Sequence, residues 1–216
     1  AVDRAGISPQ DGSTHHGIYD IGFLKSMPGL VIAQPRNGQI LRELLHSYMD
    51  YQSPVVLRYP NLETAPYESI PSYRDLGRGD LLIKTAAQTN KILLLPLGHM
   101  AEHAYKVRDC LLKTGLDATI FDPVFLKPLD KNQLLPLIEE HDAIFVIEEH
   151  SKENGLGSII ALLMQENNLG NKRFYTFGIP DYFVAHGSYQ ELMDEIGLTP
   201  LAVAASITKM MRAHLS

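Results

Sequence analysis

The sequence predicts an α/β protein: a mostly parallel sheet with helices on both faces. Short apolar runs at residues 92–95, 118–121, 143–147 and 173–177 have the length of buried strands. Amphipathic stretches with helical spacing separate them, the alternation that builds parallel sheets covered by helices. With 216 residues, 45% of them apolar and 20% charged, the chain has core enough for one large or two modest domains.

Taken in order, residues 3–17 read as loop, punctuated by Gly6, Pro9, Asp11, Gly12, Ser13 and Gly17. Ala1-Val2-Asp3 ahead of them reads as the tail of a strand, so the chain is expected to be cut from a longer one. Residues 29–33, between Pro28 and Pro35, suit a buried strand. Asn37 is placed to cap a helix running to about Tyr51, with Ile40, Leu41, Leu44, Leu45, Tyr48 and Met49 at helical spacing. Ser53-Pro54 stops it, and residues 55–59 form the next strand. Pro60, Pro66 and Pro71 then lie among polar and acidic residues, a linker composition that puts a domain boundary at about 70–80. Beyond it, residues 99–114 form a helix closed by Gly115. Asp130 caps a helix over 131–141, where Pro136 is a conflicting signal. Residues 155–167 form another helix, and two more fill 188–214.

The formal net charge is −6 and no stretch concentrates Lys or Arg, which argues against nucleic-acid or anionic-membrane binding. A small local anion site stays compatible. Cys110 is the single cysteine, so no intrachain disulfide forms and a reducing compartment is expected. No apolar run approaches the roughly 18 residues that span a bilayer, and no signal-peptide pattern is present.

Four clusters carry potential chemistry. Arg4, Asp11 and His15 bring a guanidinium, a carboxylate and an imidazole onto one glycine-bearing loop. Arg4 suits a phosphate or carboxylate, and His15 suits proton transfer or a developing oxyanion. A turn at Asp11-Gly12 with a histidine serving backbone groups explains the same residues, and composition alone favours it. Gly155-Leu156-Gly157-Ser158 opens a helix after a strand, but Ile160 stands where a dinucleotide fingerprint needs its third glycine. His99 and His103 are half of a zinc-site spacing with no third ligand, and a solvated or capping pair accounts for them. Glu148, Glu149 and His150 end a buried strand, where ligands gather in open α/β sheets. Solvated or paired structural residues explain them too, and that reading is favoured.

Several segments together resemble 1-deoxy-D-xylulose-5-phosphate synthase, in order and nearly in spacing, over almost the whole chain. They are Asp3-Arg4-Ala5-Gly6, Asp11-Gly12-Ser13-Thr14-His15-His16-Gly17 and Leu57-Arg58-Tyr59-Pro60. Further on come Phe125-Leu126-Lys127-Pro128-Leu129-Asp130, Val146-Ile147-Glu148-Glu149-His150, and residues 178–187 beginning Gly178-Ile179-Pro180-Asp181. The last segment and the Asp-Gly…Thr-His element are the most specific; others are shared with transketolase and the pyruvate dehydrogenase β-subunit. The resemblance implies that residues 1–75 are the latter part of a thiamine-diphosphate pyrimidine-binding domain and 76–216 a transketolase C-terminal-like domain. It implies decarboxylation of pyruvate and condensation of the two-carbon unit with glyceraldehyde 3-phosphate. Thiamine diphosphate and Mg2+ would be held mainly by an upstream portion, so this chain alone is incomplete and its own cofactor-binding residues are undefined. It further implies a homodimer, in a bacterial cytoplasm or plastid stroma. By the same resemblance Asp11 and His15 are catalytic candidates, and Arg4, Asp11, His15 and Asn61 are substrate-binding candidates. Asn61 and Leu62 depart from the arginine and glycine that usually follow Arg-Tyr-Pro, and an amide replaces neither the charge nor the fork of a guanidinium. Competing readings are a β-type subunit of a 2-oxo-acid dehydrogenase or two-chain transketolase, a dinucleotide-binding module, and a non-catalytic assembly module.

Overall fold

The computed structural model describes residues 1–9, 11–63 and 70–213; the expected features at Pro66 and residue 214 lie outside them. A one-turn helix α1 (Asp20–Leu24) follows the opening loop, and β1 (Val31–Ala33) follows that. Asn37 caps α2 (Gly38–Ser47) as its side chain accepts from the Ile40 amide at 3.0 Å. The last expected turn of that helix tightens into a 3-10 segment, Tyr48–Tyr51, and ends on Gln52 at φ 52°. β2 (Val55–Leu57) pairs in parallel with β1, and Val2 continues the ladder by a parallel bridge to Arg58.

The second sheet has the order β3-β5-β4-β7-β8, from β3 (Asp80–Ile83), β4 (Ile92–Pro96), β5 (Ala118–Asp122), β7 (Ala143–Ser151) and β8 (Arg173–Ile179). All its pairings are parallel except the edge pair β3-β5. Side chains of β4 alternate: Ile92 and Leu94 enter one core, Leu93 and Leu95 the other. Covering the first core are α3 (Met100–Leu112), α6 (Tyr189–Glu195) and α7 (Pro200–Arg212). On the opposite face lie α4 (Lys131–Glu140), α5 (Leu156–Glu166) and Ile21 of α1. Pro136 sits inside α4 without ending it because it is exposed, so the helix bond it forgoes lies on the solvent side.

One element escapes the sequence pattern and joins the halves of the chain. β6 (Phe125–Lys127) runs antiparallel to β1, so a strand from beyond the expected boundary completes the three-stranded sheet β2-β1-β6. Phe125 and Val124 then share a core with Val31, Ile40, Leu44 and Tyr51. Arg36 reinforces the junction, reaching Asp80 at 2.6 Å and the fully buried Asp122 at 2.8 Å. Burial pushes the Asp122 carboxyl up to about 6, although Arg36 opposes it.

Candidate active site

The opening loop folds back on itself. Gly6 and Gly17 exchange backbone hydrogen bonds at 2.9 Å, and the Gly17 amide also donates to the Arg4 carbonyl at 3.1 Å. Arg4 is held at φ 55°, a left-handed conformation uncommon for a residue with a side chain. The loop tip turns where the Asp11 and Gly12 amides donate to the Ser8 carbonyl. This brings Arg4 Nη1 to Asp11 Oδ2 at 2.7 Å, and Ser8 Oγ donates to the same oxygen at 2.7 Å. The Ser8 hydroxyl and the Arg4 charge hold the Asp11 carboxyl below the usual range.

His16, not His15, fixes this loop to the rest of the protein. The Ser8 amide donates to His16 Nδ1 at 2.9 Å, so Nε2 carries the proton and donates to the Val184 carbonyl at 3.2 Å. Gly187 N donates to the Pro9 carbonyl, and Gly12 leaves no spare room against His186. The two most specific segments of the resemblance are therefore docked on each other. His15 is exposed and pairs only locally, its Nδ1 lying 2.9 Å from Thr14 Oγ1.

Arg4, Asp11 and Asn61 share a cleft of about 400 Å³ with His99, Glu149 and Tyr189. His15 is not among its lining residues, so the structure brings together three of the four candidates. A neighbouring cleft of about 420 Å³, lined in part by Asn37, Tyr59 and His103, shares Pro60, Leu62, His99 and Tyr189 with the first. A larger concavity of about 710 Å³ between α3 and α7 contains none of the candidate residues. Arg58, fully buried, is an anchor: it grips Asp20 with two bonds, at 2.6 and 2.8 Å, and donates to the Gly17 carbonyl at 2.9 Å and to Gln34.

The strand end at Glu148-Glu149-His150 is buried, which excludes the solvated reading and supports the paired one. Glu148 accepts from the Leu156 and Gly157 amides at 2.6 and 3.0 Å, capping α5. That overturns the dinucleotide reading of Gly155 and Gly157, since an internal carboxylate already takes the N–H groups a phosphate would need. The glycines serve packing instead: a Cβ at Gly155 would meet Glu148 Oε2 at 1.9 Å, and one at Gly157 would meet Thr176 at 2.3 Å. Burial pushes Glu148 up to about 7 and, with Arg58 nearby, His150 down to about 4.

Nor are His99 and His103 a solvated pair. His99 precedes α3 and donates through Nε2 to Glu149 at 2.7 Å, while His103 meets the edge of Tyr189 at 6.4 Å between ring centres. Among the described residues no group of three His, Cys, Asp or Glu side chains is arranged to hold a metal, so they offer no ligand set for a metal-bound diphosphate. No helix among them is long and apolar enough to cross a membrane. Sequence reasoning missed Tyr189 and His16 as site-building residues. Tyr189 carried no signal beyond Ser188 starting its helix, and His16 none beyond adjacency to His15.

Residues 1–66 match the family model of the transketolase pyrimidine binding domain, and 82–203 that of the transketolase C-terminal domain. A 1-deoxy-D-xylulose-5-phosphate synthase from Chlamydia muridarum is 41% identical over 216 residues, covering 100% of this chain and 33% of that protein. One from Chlamydia caviae is 40% identical over 220 residues, with coverages of 100% and 33%. The chain spans about a third of the length of the curated relatives it matches. Among solved structures, a split-gene transketolase described as an inactive β4 tetramer superposes with a TM-score of 0.81 at 25% identity, over 97% of this chain and 65% of that one. A transketolase variant from Pichia stipitis gives 0.74 at 17% identity, over 97% and 29%, a likeness of fold. With both models matched in sequence order and the same architecture in the solved neighbours, the chain belongs to the transketolase family, carrying its pyrimidine-binding and C-terminal parts.

Proposed function

We propose that this chain is the substrate-presenting portion of a thiamine-diphosphate-dependent 1-deoxy-D-xylulose-5-phosphate synthase, a transferase that feeds isoprenoid precursor synthesis. The whole enzyme decarboxylates pyruvate and condenses the two-carbon unit with glyceraldehyde 3-phosphate. The observation that carries this reading is the Arg4–Asp11 pair opening, with Asn61, into a cleft between the two family segments, in a chain 41% identical to a named synthase. Thiamine diphosphate supplies the electron sink for decarboxylation, held with Mg2+ mainly by an upstream portion.

Within that scheme Arg4 binds the anionic group of a substrate through its guanidinium. Asp11, ionised and pinned by Ser8 and Arg4, accepts a hydrogen bond from a substrate hydroxyl. His15, exposed and outside the cleft's lining, donates to the acceptor oxygen as charge develops once the partner portion is in place. Asn61 faces the acceptor with a neutral amide, so it orients the phosphate without neutralising it. The division falls near residue 75, the upstream portion and a second copy complete the enzyme, and it works in a bacterial cytoplasm or plastid stroma.

A second reading has a specific observation behind it. The match to a split-gene transketolase favours an enzyme made of two chains, which changes the two-carbon donor but not the roles of the cleft residues. Product analysis separates the two. With the upstream portion present, pyruvate plus glyceraldehyde 3-phosphate is expected to give a five-carbon 1-deoxy sugar phosphate. Product only from ketose donors would establish a transketolase instead, and transfer to a lipoyl group a dehydrogenase component.

A further inference from the structure

The cleft has a floor that the loop chemistry does not use. From β4 the chain passes through α3 to β5 on one side, while β7 lies on the other, so a crevice opens at the carboxyl ends of β4 and β7. His99 follows the end of β4, and Glu149 stands near the end of β7, 3% exposed. Glu149 receives three hydrogen bonds from three separate elements: the Ile7 amide of the opening loop at 2.5 Å, His99 Nε2 at 2.7 Å and the Tyr189 hydroxyl at 2.7 Å.

The fit around this carboxylate is tight. Gly6 lies at φ 98°, and a Cβ there would meet Glu149 Oε1 at 2.6 Å. Two residues away, Arg4 is kept left-handed, and its guanidinium reaches Asp11 across the loop. Glu149 itself lines the cleft with both of them. A carboxylate serving only to satisfy a buried histidine would need one donor. This one draws on the loop, the entry to α3 and the start of α6, the three walls of the cleft.

We infer that Glu149 is a positioning residue, a latch that holds loop residues 4–8 against the sheet end and thereby sets where Arg4 and Asp11 meet the substrate. The inference rests on the proposed function for what the cleft binds, but the latch itself rests on geometry. Buried carboxylates of this kind are strongly felt when one partner is removed, because the remaining donors are stranded.

The test uses the enzyme completed with its upstream portion and three variants: Glu149→Gln, Glu149→Ala and Tyr189→Phe. A misplaced binding group changes rate or affinity by up to about 100-fold, so the Michaelis constant for pyruvate is expected to rise about tenfold in Glu149→Gln. Tyr189→Phe, which removes one donor and leaves the carboxylate, should shift it in the same direction by less. The thiamine diphosphate dissociation constant should stay within about twofold, since its main determinants lie elsewhere. Amide hydrogen exchange supplies a readout independent of turnover: residues 4–8 should lose protection about tenfold while 92–96 and 143–147 keep theirs. Unchanged protection at 4–8 in folded Glu149→Gln and Tyr189→Phe overturns the latch, as does a pyruvate constant that stays at the parent value. Should the parent fail to turn over pyruvate with glyceraldehyde 3-phosphate, the functional reading falls, and exchange at 4–8 still decides the latch.

Discussion

At the scale of single residues, what matters is which side of the loop each group occupies. Arg4 is locked left-handed with its side chain on Asp11, and His16 turns inward while its neighbour His15 turns out. Periodicity carries no inward or outward signal inside a loop, so the sequence singled out His15 and passed over His16. Asn61 was legible as a departure, and the structure adds that it lines the same cleft as Arg4. Restoring a guanidinium there adds one charge-assisted contact at a partly open site, so Asn61→Arg should lower the Michaelis constant for the phosphorylated acceptor about tenfold. Steady-state kinetics on the completed enzyme check this, and an unchanged constant would mean the phosphate lies elsewhere.

At the scale of elements, the buried strands and amphipathic helices were legible because their periods are strong: β4, β5, β7, α2, α3 and α5 fall close to their expected positions. Short elements were not. α1 is one turn with no side-chain cap, and three residues of β6 give no alternation to read. β7 runs further than its apolar core suggested, since Glu148, Glu149 and His150 stay in the strand by finding hydrogen-bond partners for their buried polar groups. This end of β7 makes stability depend on pH through opposing groups. His150, depressed to about 4, destabilises the fold as pH falls from its ordinary 6.5 through 4, because the unfolded chain takes the proton first. Glu148, raised to about 7, does the reverse: its contribution is fully present below its ordinary 4.5 and is lost as pH rises through 7. Removing the histidine leaves the carboxyl effect unopposed. His150→Gln should therefore lose less stability relative to the parent at pH 5 than at pH 7, as read from urea midpoints. An equal loss at both values would contradict these assignments.

At the scale of the whole molecule, the halves meet through three devices: β6 entering the first sheet, Arg36 bridging to Asp80 and Asp122, and His16 with Glu149 fastening the opening loop. Each joins residues about 40 to 170 positions apart. No local pattern encodes such pairings, so the shared sheet was not readable from the sequence. The same holds for the cleft: its charged loop, His99 and Glu149 were each singled out in the sequence, while their convergence with Tyr189 into one floor was not.

In the proposed enzyme this junction cleft binds the substrate while the cofactor is gripped elsewhere. Arg4→Ala in the completed enzyme tests it most directly. Loss of a charge-assisted, two-pronged contact corresponds to about 1.5–3 kcal/mol, so kcat/KM for pyruvate should fall roughly 10- to 150-fold. The dissociation constant of thiamine diphosphate should stay within about twofold of the parent value. An undiminished kcat/KM, or a cofactor affinity that falls in step with it, would contradict the assignment.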